Sequence, residues 1–218
     1  KNVDEIITND MKLIFFSKYH DEGLAKLLNE IDFTTGKHFV VLHMRSPHSP
    51  FENRYKGREA EFEKFKPAAE SKDRFTYYQN TYDNALLYTD MAIDSMVAEF
   101  EKLNQGKNYS IYITADHGEL INYNGMYGHN NLVIEQAKVP FFVKKKNNAA
   151  LPPVVSHYQM VKMIAQDIGA VIHNPNEEDN TYYLHGNNID FPYDFIKYQI
   201  NDNGTVTETE KNNTSNLK

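Results

Sequence analysis

Residues 110–129, SIYITADHGELINYNGMYGH, decide the fold and the chemistry that this chain is predicted to have. Residues 111–115 are β-branched, aromatic or small, a pattern typical of a strand that is covered on both faces. The polar residues 116–119 (DHGE) follow at once, where the predicted strand ends. Because ligands in open α/β sheets bind beyond the carboxyl ends of the strands, the sequence predicts a functional site at this point.

The neighbouring Asp116 and His117 are the predicted metal ligands. A carboxylate oxygen and a neutral imidazole nitrogen both bind Zn²⁺, and Gly118 permits the sharp turn that lets both side chains face one ion. The four-residue string is by itself equally typical of a solvated turn. Its position directly after a predicted strand favours the metal site.

Two further histidines in loops are candidate site residues. His129 closes the Gly- and Asn-rich end of the same stretch, and His48 lies between Pro47 and Pro50 after a predicted strand over residues 37–44. A lone histidine in a loop is more often a surface residue or a local hydrogen-bonding group. A site role for His48 or His129 therefore becomes convincing only if the other candidate residues lie near it.

A helix predicted over residues 83–103 joins the strand over 37–44 to the strand over 111–115. Such a strand–helix–strand unit normally forms a right-handed crossover between two parallel strands. The predicted buried face of this helix consists of large apolar residues at helical spacing: Leu86, Ile93, Met96, Val97, Phe100 and Leu103.

The remaining segments are predicted from their periodicity and turn residues. They are a helix within residues 1–31, a strand over 139–143, a helix over 157–168 with Ser156 as its N-cap, and a hairpin over 195–209. Residues 51–81 are charged and aromatic, which indicates a solvated excursion or, alternatively, a substrate-side loop. The expected fold is one α/β domain over residues 1–210, with a disordered tail over 211–218. We expect a layered sandwich in which helices flank a mostly parallel central sheet, with a C-terminal β-hairpin.

Composition excludes several classes of function. The 218-residue chain has a net charge of −7, which argues against a general nucleic-acid-binding protein. It contains no apolar run of about 18 residues and no recognisable signal peptide. Because it has no cysteine, any metal must be held by His, Asp, Glu or hydroxyl oxygen.

Five strings in a fixed order resemble the carboxyl-terminal half of the catalytic domain of phosphoethanolamine transferases. This family belongs to the sulfatase and alkaline-phosphatase superfamily. The strings are VVLHMRSPHSPFENRY (40–55), YDNALLYTD (82–90), ITADHGE (113–119), NGMYGH (124–129) and EQAKVP (135–140). Several ordered motifs are far more specific than any one of them.

The resemblance implies a reaction and a role for each candidate residue. Asp116 and His117 match the adjacent zinc ligands of the family, and His48 and His129 match the catalytic histidines beside the phosphoryl group. The implied reaction moves phosphoethanolamine from phosphatidylethanolamine to lipid A or another envelope glycolipid through a phospho-threonine enzyme. The implied location is the periplasmic face of the bacterial inner membrane, with membrane association through a segment that is absent from this chain.

Departures from the family pattern leave alternatives open. The family's threonine nucleophile and another acidic zinc ligand lie upstream of the matching region, so we expect this chain to be inactive alone. Gly128 and His129 stand where the transferases usually have His-Gly. A sulfatase, a phosphoglycerol transferase, a phosphodiesterase of the same superfamily, or a non-catalytic domain on this scaffold is compatible with the remaining motifs. The sequence indicates no oligomeric state.

Overall fold

The structure, a computed structural model, divides into two compact units, Lys1–Lys107 and Asn108–Lys218. It describes residues 20–65, 73–129, 132–145, 151–152, 154–175, 177–186 and 194–212. The first 19 residues of the predicted N-terminal helix and residues 213–218 of the predicted tail lie outside the described residues. The prediction of a single domain over residues 1–210 stays a prediction.

Helices dominate the described part of the first unit. The elements are α1 (Gly23–Leu27), a 3₁₀ turn (Leu28–Glu30), a second 3₁₀ turn (Phe51–Arg54), α2 (Glu59–Phe62) and α3 (Arg74–Asn104). The predicted helix over 83–103 is confirmed as part of α3. It begins earlier because Asp73 caps it by accepting a hydrogen bond from the Phe75 N–H, and it ends where Gln105 adopts a left-handed conformation.

The buried face of α3 includes the predicted Met96 but otherwise differs from the predicted one. Its buried apolar residues are Ala85, Tyr88, Ala92 and Met96, at i+3 and i+4 spacing, whereas Leu86 is 40% exposed. The prediction chose large apolar residues. In the structure, the small side chains of Ala85 and Ala92 are as completely buried as the large one of Tyr88.

Two other predictions for the first unit are wrong for the described residues. Residues 39–44 alternate in exposure as a strand does, but residues 37–44 pair with no described strand, and Phe39 and Val41 are exposed. A strand needs a neighbouring backbone to satisfy its hydrogen bonds, and periodicity cannot supply one. The segment that begins at residue 51 is not a solvated excursion, because Phe51 and Tyr55 are fully buried.

Strands dominate the second unit, and every described pair is antiparallel. β1 (Ser110–Thr114) pairs with β4 (Phe141–Lys145), β2 (Leu120–Tyr123) pairs with β3 (Met126–Gly128), and β5 (Thr181–His185), β6 (Phe195–Ile200) and β7 (Val206–Asn212) form one sheet in that order. The predicted mostly parallel sheet is therefore wrong, although the mixed α/β class is confirmed. β1 is only partly buried.

Several predicted elements of the second unit are confirmed. Helix α5 (His157–Asp167) begins at Ser156, whose hydroxyl accepts a hydrogen bond from the Gln159 N–H within a capping box. The strand predicted over 139–143 is β4, shifted two residues towards the C-terminus. The predicted hairpin is β6–β7, and β7 continues into the first two residues of the predicted tail. Helix α4 (Ile134–Ala137) lies between β3 and β4.

None of the helices in the described part of the chain is both long and apolar enough to cross a bilayer.

Candidate metal centre

A tight hairpin brings the two ends of residues 116–129 together. In the β2–β3 ladder Leu120 pairs with Gly128, so the flanking residues Glu119 and His129 lie opposite one another at its open end. The Glu119 Oε2 atom lies 2.8 Å from His129 Nδ1. A loop, not a hairpin, was predicted for this region.

The missed hairpin had a recognisable signal. Asn124 and Gly125 both have positive φ angles, 51° and 79°. Two consecutive positive φ angles are the requirement of a type I′ turn, and Asn-Gly is the dipeptide that favours it most. Glu119 could have been found as a site residue from this turn, because the hairpin dictates which residues face each other across its open end.

Three side chains of this region could share one metal ion. Nitrogen and oxygen ligand atoms of His117, Glu119 and His129 all lie within 4.8 Å of one another. The rings of His117 and His129 stack with their centroids 4.2 Å apart. Two imidazoles and a carboxylate are a donor set that suits Zn²⁺.

Asp116 extends this cluster. Its Oδ2 atom lies 3.6 Å from His117 Nε2. Two ligands bound at about 2.1 Å to one tetrahedral zinc ion are separated by roughly 3.4 Å, so this pair has the spacing that a shared ion requires. The Asp116 side chain is 82% exposed and that of His117 41% exposed, so an ion can reach both from solvent.

Hydrogen bonds orient both imidazole rings of the cluster. His117 Nδ1 lies 3.1 Å from the Gly118 carbonyl oxygen, and His129 Nδ1 contacts the Glu119 carboxylate. A proton on Nδ1 places the lone pair of each ring on Nε2, which is the usual arrangement of a histidine that binds metal.

A further histidine holds the end of β1. His157, at the first position of α5, lies with Nε2 2.8 Å from the Ala115 carbonyl oxygen, directly before Asp116. His157 was not among the predicted site residues. The contact fixes the backbone from which Asp116 and His117 project.

His48 lies in the first unit, in the exposed loop between Pro47 and Pro50. Its Nδ1 atom is 2.5 Å from the Ser49 carbonyl oxygen. Asp21, which is 4% exposed, holds this loop by accepting hydrogen bonds from the N–H groups of Arg45 (3.1 Å) and Ser46 (2.7 Å). The convergence of His48 with the residues of the second unit stays a prediction.

A buried arginine lies near the same loop. Burial lowers the pKa of the Arg54 guanidinium, and the positive charge of Arg45 lowers it further, whereas the carboxylate of Asp21 acts in the opposite direction. Arg54 also donates a hydrogen bond from Nε to the Pro50 carbonyl oxygen. The negative charge of Asp21 therefore partly compensates a cation that is removed from water.

Comparison with known proteins identifies relatives of the chain. The Sulfatase family profile matches residues 2–170. Phosphoethanolamine transferase EptA of Salmonella typhimurium is 33% identical over 116 residues, which are 50% of this chain and 21% of that protein. Phosphatidylethanolamine transferase Mcr-1 of Escherichia coli is 28% identical over 151 residues, which are 65% of this chain and 28% of that protein.

Another relative is the Kdo(2)-lipid A phosphoethanolamine 7''-transferase of Salmonella typhimurium, which is 30% identical over 60% of this chain and 23% of its own length. The chain thus spans between about a fifth and just over a quarter of these curated relatives. The predicted resemblance to phosphoethanolamine transferases is confirmed.

A solved structure is also similar to the chain, the C-terminal periplasmic domain of phosphoethanolamine transferase EptC from Campylobacter jejuni. It is 28% identical, with a TM-score of 0.48, and the match covers 58% of this chain and 43% of that domain.

Proposed function

Because the chain belongs to the Sulfatase family, we propose that it is the carboxyl-terminal part of a zinc-dependent phosphoethanolamine transferase. The proposed reaction transfers phosphoethanolamine from phosphatidylethanolamine to lipid A or another envelope glycolipid. The names of the relatives support the substrate class. The proposed site of action is the periplasmic face of the inner membrane.

The observation that carries the proposal is the cluster of His117, Glu119 and His129, with the Asp116 carboxylate beside His117. Asp116 and His117 would hold the metal, because their ligand atoms have the separation of two ligands on one ion. A bound Zn²⁺ would supply positive charge that lowers the pKa of a ligated hydroxyl and stabilises negative phosphoryl oxygens.

The chain's own residues would orient the phosphoryl group and handle the proton. Glu119 fixes the ring of His129 through Nδ1. When the ring is doubly protonated, Nε2 would be the atom that donates to a phosphoryl oxygen or protonates a leaving group. His48 would supply a second donor of the same kind. Its role rests on the match of its loop to the family motif.

We further propose that the 218 residues alone do not turn over substrate. The residues that match the family motifs provide metal ligands and histidines but no nucleophile. Phosphotransfer assays on this chain with phosphatidylethanolamine and lipid A should show no product by mass spectrometry. Robust metal-dependent turnover would contradict this part of the proposal.

Zinc titration by calorimetry tests the metal centre directly. We expect wild type to bind one Zn²⁺ and His117→Ala to bind it more than about 100-fold more weakly, because removal of an outer partner alone already costs about 10- to 100-fold. The exposed His173 provides a matched control, and His173→Ala should retain the wild-type affinity. Equal affinities of wild type and His117→Ala would refute the assigned site and favour a non-catalytic scaffold.

A further inference from the structure

Gln136 connects both arms of the candidate metal centre. It lies in the short helix α4 and is only 5% exposed. Its carbonyl oxygen accepts a 2.6 Å hydrogen bond from the Gly118 N–H, and its side-chain Nε2 donates a 2.9 Å hydrogen bond to the Gly128 carbonyl oxygen. One residue therefore binds the backbone beside His117 and the backbone beside His129.

The first of these contacts leaves little room for a side chain at Gly118. A Cβ atom at that position would lie 3.0 Å from the Gln136 carbonyl oxygen and 3.1 Å from that of Glu135. Backbone therefore packs directly on backbone between the turn after β1 and helix α4. The backbone next to His117 is therefore held in direct contact with α4.

The second contact depends on the chemistry of the side chain. The Gly128 carbonyl oxygen needs a donor, and a buried amide group needs a partner, because a buried polar group without a hydrogen bond is costly. Glutamate would present an acceptor to an acceptor, and methionine has a similar length but no donor. Among side chains of this size, the uncharged amide is the one that suits the contact.

We propose that Gln136 is a positioning residue that sets the separation of His117 and His129. In the chain without substrate, the ligand atoms of these two rings lie close enough to share one ion, so their separation sets the metal affinity of the site. This inference deepens the proposed function and rests on it for the identity of the metal. The part of the inference that concerns the distance between the two imidazole rings does not depend on a bound ion. The stacked rings at 4.2 Å provide a direct reporter of that distance.

The experiment compares wild type with Gln136→Met, Gln136→Glu and a matched control, Gln166→Met. Gln166 is exposed on α5, so the same substitution there removes no contact with the site. Zinc affinity is measured by calorimetry. Ring–ring nuclear Overhauser contacts between His117 and His129 are measured in the zinc-free protein, and far-UV circular dichroism reports the fold.

We expect both Gln136 variants to stay folded, to lose the ring–ring contacts and to bind zinc about 10- to 100-fold more weakly, the usual cost of an outer partner of a metal ligand. Gln166→Met should match wild type in all three measurements. Gln136→Met that keeps both the ring contacts and an affinity within twofold of wild type would overturn the proposal.

Loss of the wild-type circular dichroism in both Gln136 variants would also count against it, because a contact confined to the site leaves the sheet of β5, β6 and β7 intact. If wild type itself binds no zinc, the proposed metal function fails and the ring contacts alone decide the role of Gln136. Their retention in the variants then refutes the proposal, and their loss supports it.

Discussion

Two loops that carry candidate site histidines are each held by one buried polar side chain, but the chemistry of the two holders differs. Asp21 in the first unit uses both carboxylate oxygens to accept hydrogen bonds from the backbone before His48. Gln136 in the second unit accepts one hydrogen bond through its backbone and donates another through its side chain. A charged acceptor holds one loop and a neutral amide holds the other.

The difference has an energetic consequence. The carboxylate of Asp21 is removed from water and is balanced in part by the buried Arg54, so its loss affects charge as well as hydrogen bonding. Gln136 is neutral, and its loss affects only hydrogen bonding and geometry. Substitution of Asp21 should therefore destabilise its unit, whereas substitution of Gln136 should mainly alter the site.

The largest expected effect is that of Asp21→Ala. Two backbone N–H groups lose their charged acceptor and Arg54 loses a compensating charge, so the free energy of unfolding should fall by about 3 kcal/mol. Urea denaturation measures this loss. Asp21→Asn keeps one acceptor oxygen, so its free energy of unfolding should fall by less than that of Asp21→Ala. A loss below about 0.5 kcal/mol for Asp21→Ala, the range of ordinary surface substitutions, would show that the carboxylate does not hold the loop.

An intermediate effect is expected for Gly118→Ala. The added methyl group meets two carbonyl oxygens at 3.0 and 3.1 Å, so the turn must move away from α4. We expect a loss of about 1–3 kcal/mol in the free energy of unfolding, the usual cost of overpacking, together with weaker zinc binding.

The matched control for this substitution is Gly169→Ala, where the methyl group would meet no atom within 4 Å and only the positive φ of 78° opposes it. It should lose some stability but keep the zinc affinity of wild type. Equal zinc affinities for the two variants would show that the close approach at Gly118 does not position the site.

The smallest expected effect concerns Asp167. This carboxylate is less buried than that of Asp21, so the two show how burial changes the contribution of a carboxylate to stability. Burial acts to raise the pKa of Asp167, but hydrogen bonds from Lys145 and Tyr112 outweigh it and hold the pKa below its usual range. Because the folded pKa lies below the unfolded value, this group stabilises the folded state above the unfolded pKa. The contribution is lost as the pH falls through the folded pKa.

The measurement compares the unfolding free energies of wild type and Asp167→Asn between about pH 6 and about pH 3. The pH-dependent part of their difference should be no more than about 1 kcal/mol, because the ion pair is partly exposed, and it should shrink as the pH falls. A difference that does not change with pH would exclude this linkage.

Local sequence signals were sufficient where the deciding interaction is local. The N-cap Ser156 and its capping box, the hairpin of β6 and β7, and the strand before Asp116 were all predicted from residues a few positions apart. The hairpin around Asn124 and Gly125 has an equally local signal, although a loop was predicted there. With it, Glu119 belongs to the part of the site that sequence can predict.

Interactions over longer stretches could not be predicted in this way. Antiparallel pairing of β1 with β4, rather than parallel pairing with residues 37–44, depends on which backbone lies beside β1. Periodicity reports which side chains are apolar, and it contains no information on the direction of a partner strand. Most of the buried face of α3 was not predicted for a related reason. Its alanines are buried because neighbouring elements pack closely on them, and the hydrophobicity of a side chain does not predict such packing.

The sequence by itself determined which chemical groups Asp116, His117 and His129 offer to the candidate site, because the type of side chain fixes which metals it can bind and which protons it can transfer. Only the tertiary structure decided how those side chains are held. Asp21 accepts hydrogen bonds from backbone N–H groups that lie 24 and 25 positions further along the chain, and the Gln136 side chain donates to a backbone carbonyl 8 positions away. Nearly every type of residue provides such backbone groups. Backbone N–H and carbonyl groups are chemically the same in nearly every residue. The sequence therefore does not indicate which backbone group a buried polar side chain will contact, and only the folded structure shows it.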